Sequence, residues 1–227
     1  MKRILVCLLA LFAGVAGIAA SENWLTTVER TPVSHLVGNP DAPVTVSEYL
    51  SYTCPHCRDF SMQGDEVLKL AYIQPGKLRL EYRHAIANPE DLTATMLARC
   101  GAPEKFPGNH AALMAAQPRF NALRRLATKS QTDRWHYGDK AARRRAIASD
   151  LNLYEILERR GYSQAELDRC LADQALADRL EASAESDWAK IDGTPSFAVN
   201  GEVLKDVYTL QGLQQAIDAA SAASPAE

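Results

Sequence analysis

The sequence predicts an α/β domain split by a long helical insertion. Three observations carry this. Segments 44–50 and 78–84 have strand character and flank a helical stretch. Strand character returns only at 196–199. The intervening residues 88–188 are rich in Ala, Leu and Arg and poor in β-branched side chains. A chain of 227 residues is long enough to bury a substantial core. With 47% apolar and 23% charged residues it is neither a disordered chain nor a disulfide-dense miniature scaffold. Its net charge of −3 lacks the basic excess of a nucleic-acid binder.

The elements follow in chain order. Met1-Lys2-Arg3 is a short basic start, residues 4–15 are almost wholly apolar, and small residues precede Ser21. This is the layout of a secretory signal peptide over residues 1–20. The apolar run is shorter than the about 20 residues of a membrane span, the alternative being an uncleaved anchor. Cleavage removes Cys7, one of five cysteines, and delivers Cys54, Cys57, Cys100 and Cys170 to an oxidising compartment, the periplasm. A turn cluster at 38–43 leads into the strand at 44–50. A helix is expected from Pro55 to about Ala71, with Phe60, Val67, Leu68 and Ala71 on one side and a kink at Gly64. After Gln74-Pro75-Gly76, strict alternation of Leu78, Leu80, Tyr82 and His84 with charged residues marks a half-buried strand. Helices are expected at 91–100, 108–117, 119–129, 140–149, 153–160 and 164–187. The last opens on the capping box Ser163-x-x-Glu166, and Gly101 stands just past the first. Asn200-Gly201 turns the 196–199 strand back through Val203-Leu204, and a helix over about 209–219 closes the fold.

The chemistry lies in Cys54-Pro55-His56-Cys57, between a strand and a helix. Cys54 falls at the N-cap and Pro55 at the first helical position, where a missing N–H costs nothing. The free N–H groups and the positive end of the helix dipole then face the Cys54 sulfur and favour its thiolate. Such cysteines have pKa values of about 3.5–7.5, against about 8.5 for a free thiol. His56 adds a second partner by hydrogen bond or charge. Cys57, one turn on, is placed to close a disulfide with Cys54. Stabilising the thiolate stabilises the reduced state and so makes the disulfide more oxidising, by about 30 mV for each 1.4 kcal/mol. Alternatives stand beside this reading. Structural zinc needs a second ligand pair, and the five histidines are scattered. Covalent haem needs histidine where Arg58 stands. An inert disulfide leaves Pro55 unexplained. A copper or other metal carrier would use Cys54 and Cys57 as soft ligands.

Over roughly residues 30–220 the chain resembles the DsbA-like thiol-disulfide oxidoreductases of the thioredoxin superfamily. The resemblance rests on four features in order: Glu48 six residues before the first motif cysteine, the Cys54-Pro55-His56-Cys57 motif, the helical insertion, and Gly193-Thr194-Pro195-Ser196-Phe197 followed by the Asn200-Gly201 turn. It implies a thioredoxin-like fold whose halves are 27–87 and 189–222, with a helical domain at 88–188 inserted between them. It implies that Pro195 is cis beside Cys54 and that Thr194 presents its backbone to a substrate strand, where the residues alone allow an ordinary turn. It implies that Glu48 relays the proton of Cys57; on its own Glu48 reads equally as an edge carboxylate. Thr194 departs from the main oxidants, which carry a small apolar residue there, and resembles the isomerases. The short stretch ahead of the first motif strand lacks the isomerases' dimerisation domain and favours a monomeric oxidase.

The reading implied is an exported enzyme that introduces disulfides into unfolded proteins carrying free thiols. It needs no cofactor or metal beyond the Cys54–Cys57 disulfide, contacts no nucleic acid, and is reoxidised by a quinone-linked membrane partner of the DsbB kind. An isomerase or reductase of the same family is the alternative. Cys100 and Cys170 sit on apolar helix faces in the insertion. They are either two buried thiols or, as in some members of the family, a second, structural disulfide. Arg124-Arg125 and Arg143-Arg144-Arg145 read as solvated helix faces, and Trp24, Trp135 and Trp188 as packing residues.

Overall fold

The computed structural model describes residues 23–223. The leader expected at 1–20, with Cys7, lies outside them. Among the described residues, no helix is long and apolar enough to cross a membrane.

Six strands form one mixed sheet. The chain enters through β1 (Val28–Arg30) and β2 (Ser34–Gly38), two short antiparallel strands that the sequence reading does not contain. β3 (Val44–Leu50) leads to helix α1 (Pro55–Leu68) and returns in β4 (Leu78–His84), parallel to β3 and in register from Val44 opposite Leu78 to Leu50 opposite His84. Near the end of the chain, β5 (Ser196–Val199) pairs antiparallel with β3 and turns into β6 (Glu202–Val203). The order across the sheet is β1-β2-β4-β3-β5-β6, which makes β3 a central strand. Its residues Val44, Val46 and Leu50 are fully buried. β4 alternates buried and half-buried positions, as its sequence requires.

Between β4 and β5 the insertion is wholly helical: α2 (Pro89–Ala98), α3 (Phe106–Arg125), α4 (Lys129–His136), α5 (Lys140–Asp150), α6 (Leu153–Glu158), α7 (Gln164–Ala172) and α8 (Gln174–Trp188). α9 (Leu210–Ala223) then packs Leu213 and Ile217 into the core. Three helical expectations are corrected. The helices at 108–117 and 119–129 are one, because α3 runs straight through Pro118. The helix at 164–187 is two, because Asp173 leaves the helical region and caps α8 through a bond from the Leu176 N–H. The missed α4 begins on a capping box between Thr128 and Gln131. α1 also differs: it stops at Leu68, Lys69–Ile73 forms a single π turn, and Ala71 is exposed. Gly64 lies inside the continuous helix, and a side chain there would press on the Phe60 ring at 3.0 Å.

The arginine run in α5 is not a solvated face throughout. Arg144 is 4% exposed and donates to the Leu171 carbonyl at 2.6 Å and to Gln174 Oε1, which ties α5 to the junction of α7 and α8. Trp135 is buried and donates to Asp150 at 2.7 Å, while Trp188 is half-buried and donates to the Ile86 carbonyl.

Candidate active site

Cys54 is the N-cap of α1 and Pro55 its first residue. The Cys54 thiol is half-buried; Cys57, one turn deeper, is fully buried. Both carry free thiols in this structure. Cys54 Sγ donates to the Thr194 carbonyl at 3.1 Å, and the Thr194–Pro195 bond is cis. The loop before β5 therefore meets the start of α1 although 140 residues separate the two in sequence.

The two thiols have opposite tendencies. The Cys54 pKa is lowered to about 5. The hydrogen bond from Cys57 is the largest cause; the Thr194 side chain and the backbone N–H groups of Cys57 and His56 add to it, against a smaller burial effect in the other direction. Thr194 serves both states: its carbonyl accepts from the thiol, and its side chain stabilises the thiolate. The Cys57 pKa is raised, first by burial and then by Cys54, with the Glu48 charge adding to it; the Ser51 N–H at 3.4 Å opposes this weakly. Among the groups acting on Cys54, His56 contributes its backbone N–H. Its side chain is exposed and lines a groove of about 420 Å³ with Phe60, Thr194, Pro195 and Tyr208.

Glu48 lies on β3 and is fully buried, not at an exposed edge. Both of its oxygens lack a hydrogen-bond partner among the described residues. Burial raises its pKa well above the ordinary carboxylate value, and the charge of Asp65 raises it further.

Sequence reasoning missed the residues that hold the segment before α1 in place. Gln117 of α3, 1% exposed, donates to the Cys54 carbonyl at 2.9 Å, and Asn121 one turn later donates to the Thr53 carbonyl at 3.3 Å. Asn88, the N-cap of α2, donates to Thr53 Oγ1 at 3.0 Å. Asp91 accepts from the Tyr52 N–H at 2.7 Å and the Ala87 N–H at 3.2 Å. Burial raises the Asp91 pKa to about 6, and those bonds with one from Ser51 hold it from going higher. The helical insertion thus fixes the backbone on which Cys54 sits. Asn88 is signalled only as a helix start, an Asn before Pro89, and Gln117 follows no motif; its polarity inside a helix destined for burial alone distinguishes it.

Cys100 and Cys170 are bonded to each other, with an S–S distance of 1.99 Å and Cα atoms 5.7 Å apart. The bond joins the chain just after α2 to α7 across a separation of 70 residues.

Comparison with known proteins gives a consistent picture. A model of the thioredoxin family matches residues 30–219. A Rickettsia bellii protein named "Putative protein-disulfide oxidoreductase" is 31% identical over 82% of this chain, and the chain spans 63% of that relative's length. The thiol:disulfide interchange protein DsbL of Lelliottia amnigena is 27% identical over 78% of this chain and 79% of its own. Among solved structures, a protein-disulfide isomerase from Novosphingobium aromaticivorans is 36% identical with a TM-score of 0.78, covering 83% of this chain and 97% of that one. Wolbachia pipientis alpha-DsbA1, 22% identical with a TM-score of 0.65 over 86% and 94% of the two chains, shares the fold.

Proposed function

From the premise that this chain belongs to the thioredoxin family, on its DsbA-like side, we propose that it is a protein-disulfide oxidoreductase that donates disulfides to exported proteins. One observation carries the reading. Cys54, half-buried beside the cis Thr194–Pro195 bond, has a pKa lowered to about 5, while its partner Cys57 is buried with a raised one. A substrate thiolate attacks Cys54 of the Cys54–Cys57 disulfide; the S–S bond breaks and Cys57 leaves. A mixed disulfide now joins substrate and Cys54. The substrate's second thiolate attacks its own bonded sulfur, a substrate disulfide forms, and Cys54 departs as a stabilised thiolate. Two electrons pass from substrate to enzyme. Cys57 is a poor thiolate in its buried site, so its departure calls for a proton; the raised pKa of buried Glu48 and the effect of its charge on Cys57 support Glu48 as the relay. A substrate strand runs along Thr194 and the neighbouring groove.

The signal-like leader supports a periplasmic enzyme whose substrates are unfolded proteins with free thiols. A quinone-linked membrane partner of the DsbB kind accepts the two electrons, and the enzyme acts as a monomer. The Thr194 hydroxyl and the likeness to a protein titled disulfide isomerase favour a second reading, in which the reduced form reshuffles wrong disulfides. Mixing oxidised protein with a reduced two-cysteine peptide tests the first. Stoichiometric peptide oxidation, lost in Cys54→Ser, is the expected result. Undiminished turnover in Cys54→Ser sinks both readings. Efficient rescue of scrambled disulfides by the reduced form, without net oxidation of the peptide, selects the isomerase.

A further inference from the structure

Glu48 shares its pocket with a second buried carboxyl. On β3 it stands in register between Tyr82 of β4 and Phe197 of β5. Packed against α3, α1 turns Ser61 and Asp65 inward, where a simple amphipathic helix would place apolar residues. Tyr82, the register partner of Glu48, has its ring 4.9 Å from that of His110 on α3, and His110 Nε2 lies 3.7 Å from Asp65 Oδ2, so the two acids border the same part of the core. Glu48 makes no hydrogen bond there among the described residues, and neither does Asp65 Oδ1.

Asp65 Oδ2 is differently placed. It accepts from Ser61 Oγ at 2.8 Å and lies 3.7 Å from His110 Nε2 of α3. Ser61 has one hydroxyl proton, and it is spent on Asp65. The 3.4 Å contact between Ser61 Oγ and His110 Nε2 must then be donated by His110. As a neutral imidazole with its proton on Nε2, His110 would accept at Nδ1 from the Tyr52 hydroxyl at 3.1 Å. The four side chains form one ordered chain, Tyr52 to His110 to Ser61 to Asp65, in which every donor points toward the Asp65 carboxylate. Such a chain favours the charged form of its terminal acceptor. Two carboxylates sharing a buried site cannot both ionise freely, so a charge fixed on Asp65 opposes one on Glu48.

We propose that Asp65, held as a carboxylate by Ser61 and His110, is a positioning residue for disulfide exchange that keeps Glu48 protonated and ready to serve Cys57. The inference rests on the exchange reaction and relay proposed above. When Cys57 leaves as a thiolate, the Glu48 O–H bond breaks, an S–H bond forms on Cys57, and the charge moves to Glu48 beside Asp65. That placement raises the proton affinity of the charged Glu48, which takes up a proton from solvent and returns to the protonated form. The titratable groups around it are Cys57 and Asp65 from α1, Tyr52 from the segment before α1, Tyr82 and His84 from β4, and His110 from α3. Burial keeps both tyrosines and His84 neutral; burial is also the first cause that raises Glu48, and Asp65 is the charged neighbour that raises it further.

The test is the pH profile of disulfide transfer from the purified oxidised protein to a reduced two-cysteine peptide, corrected for the peptide's own thiolate fraction. Replacing Asp65 with Asn moves the Glu48-dependent limb to lower pH by about one unit or more. Asp65→Glu restores it. In a Glu48→Gln background the limb is absent and Asp65→Asn has no further effect on it. A D65N profile that superimposes on the parent, or an equal shift in the E48Q background, overturns the proposal. The function fails separately: exchange persisting in Cys54→Ser removes the reaction itself, whereas loss there with an unmoved D65N limb removes only the role of Asp65. A measurement without substitutions guards against folding defects. Carboxyl carbon NMR of the reduced parent protein at pH 7 should show Glu48 protonated and Asp65 ionised; the reverse assignment, or both ionised, contradicts the proposal.

Discussion

The molecule holds two pairs of cysteines with opposite surroundings. Cys54 and Cys57 begin α1, where unsatisfied N–H groups, Thr194 and each other's sulfur separate their acidities. Cys100 and Cys170 join two packed elements of the helical insertion, with Cys100 4% exposed and no helix start aimed at its sulfur. The amino acid is the same, and placement decides what it does. At a helix N-terminus the thiolate is stabilised and the disulfide becomes a reagent. Between packed helices the disulfide restrains the chain. The contrast also gives the insertion two duties, since it carries one pair and clamps the backbone of the other through Gln117 and Asn121.

The largest effect that divides the pairs is on turnover. Cys54→Ser abolishes peptide oxidation, whereas the double variant Cys100→Ala/Cys170→Ala retains it. In stability the order reverses. Opening a loop of 70 residues costs roughly 4 kcal/mol by the chain-entropy estimate, read from denaturant midpoints of the oxidised proteins. Equal losses of turnover in the two variants would break the comparison.

Alkylation sharpens it. In the reduced protein, Cys54 should react with iodoacetamide along a titration centred near pH 5, and at pH 6.5 a few-fold faster than a thiol of ordinary acidity, its roughly 100-fold larger thiolate fraction being offset by the lower nucleophilicity of a more acidic thiol, while Cys57 stays unreactive. The same lowered pKa has a stability consequence. Cys54 is more acidic folded than unfolded, so its contribution to the reduced protein is full above the unfolded value near 9 and is lost as pH falls toward 5. Thermal unfolding of the reduced form relative to the oxidised form should therefore improve between pH 5 and 8. A difference that stays flat over this range contradicts a stabilised thiolate.

Two smaller effects probe the supports of Cys54. Thr194→Val removes a side-chain bond to the thiolate, and the alkylation midpoint should rise by roughly 1 unit, equivalent to about 30 mV less oxidising power. Gln117→Leu removes the side-chain donor to the Cys54 carbonyl, which keeps the Arg58 N–H at 3.3 Å, and should lower stability by about 1 kcal/mol in urea unfolding, with the Cys54 midpoint little changed.

The reactive pair was legible in the sequence because its physics is local: a strand, an N-cap, Pro55 at the first helical position and a second cysteine one turn on. The 44–50, 78–84 and 196–199 strands were legible for the same reason, each showing its pattern within a few residues. β2 was not, since its buried Ser34 and His35 carry no apolar alternation; His35 is held by stacking on Phe106 at 3.9 Å, 71 residues away in sequence, and by Arg30 and Arg99 at its two ring nitrogens. Asp65, His110 and Gln117 were equally hidden. Their partners lie on other elements, and a polar residue on a helix looks solvated until the neighbouring helix is placed against it. Arg144 misled in the same way. The break at Asp173 went unread because a single capping residue inside a continuous Leu-rich pattern leaves the period intact.

Placement separates the two pairs, and one redox titration tests this directly. The protein is equilibrated across glutathione and dithiothreitol buffers, remaining thiols are trapped, and each cysteine is quantified by mass spectrometry. The predicted result is two separate transitions: Cys54–Cys57 reduced at a potential above about −180 mV, toward the −120 mV of a strong oxidant, and Cys100–Cys170 still oxidised at about −300 mV. A single shared transition, or Cys100–Cys170 opening first, would contradict it.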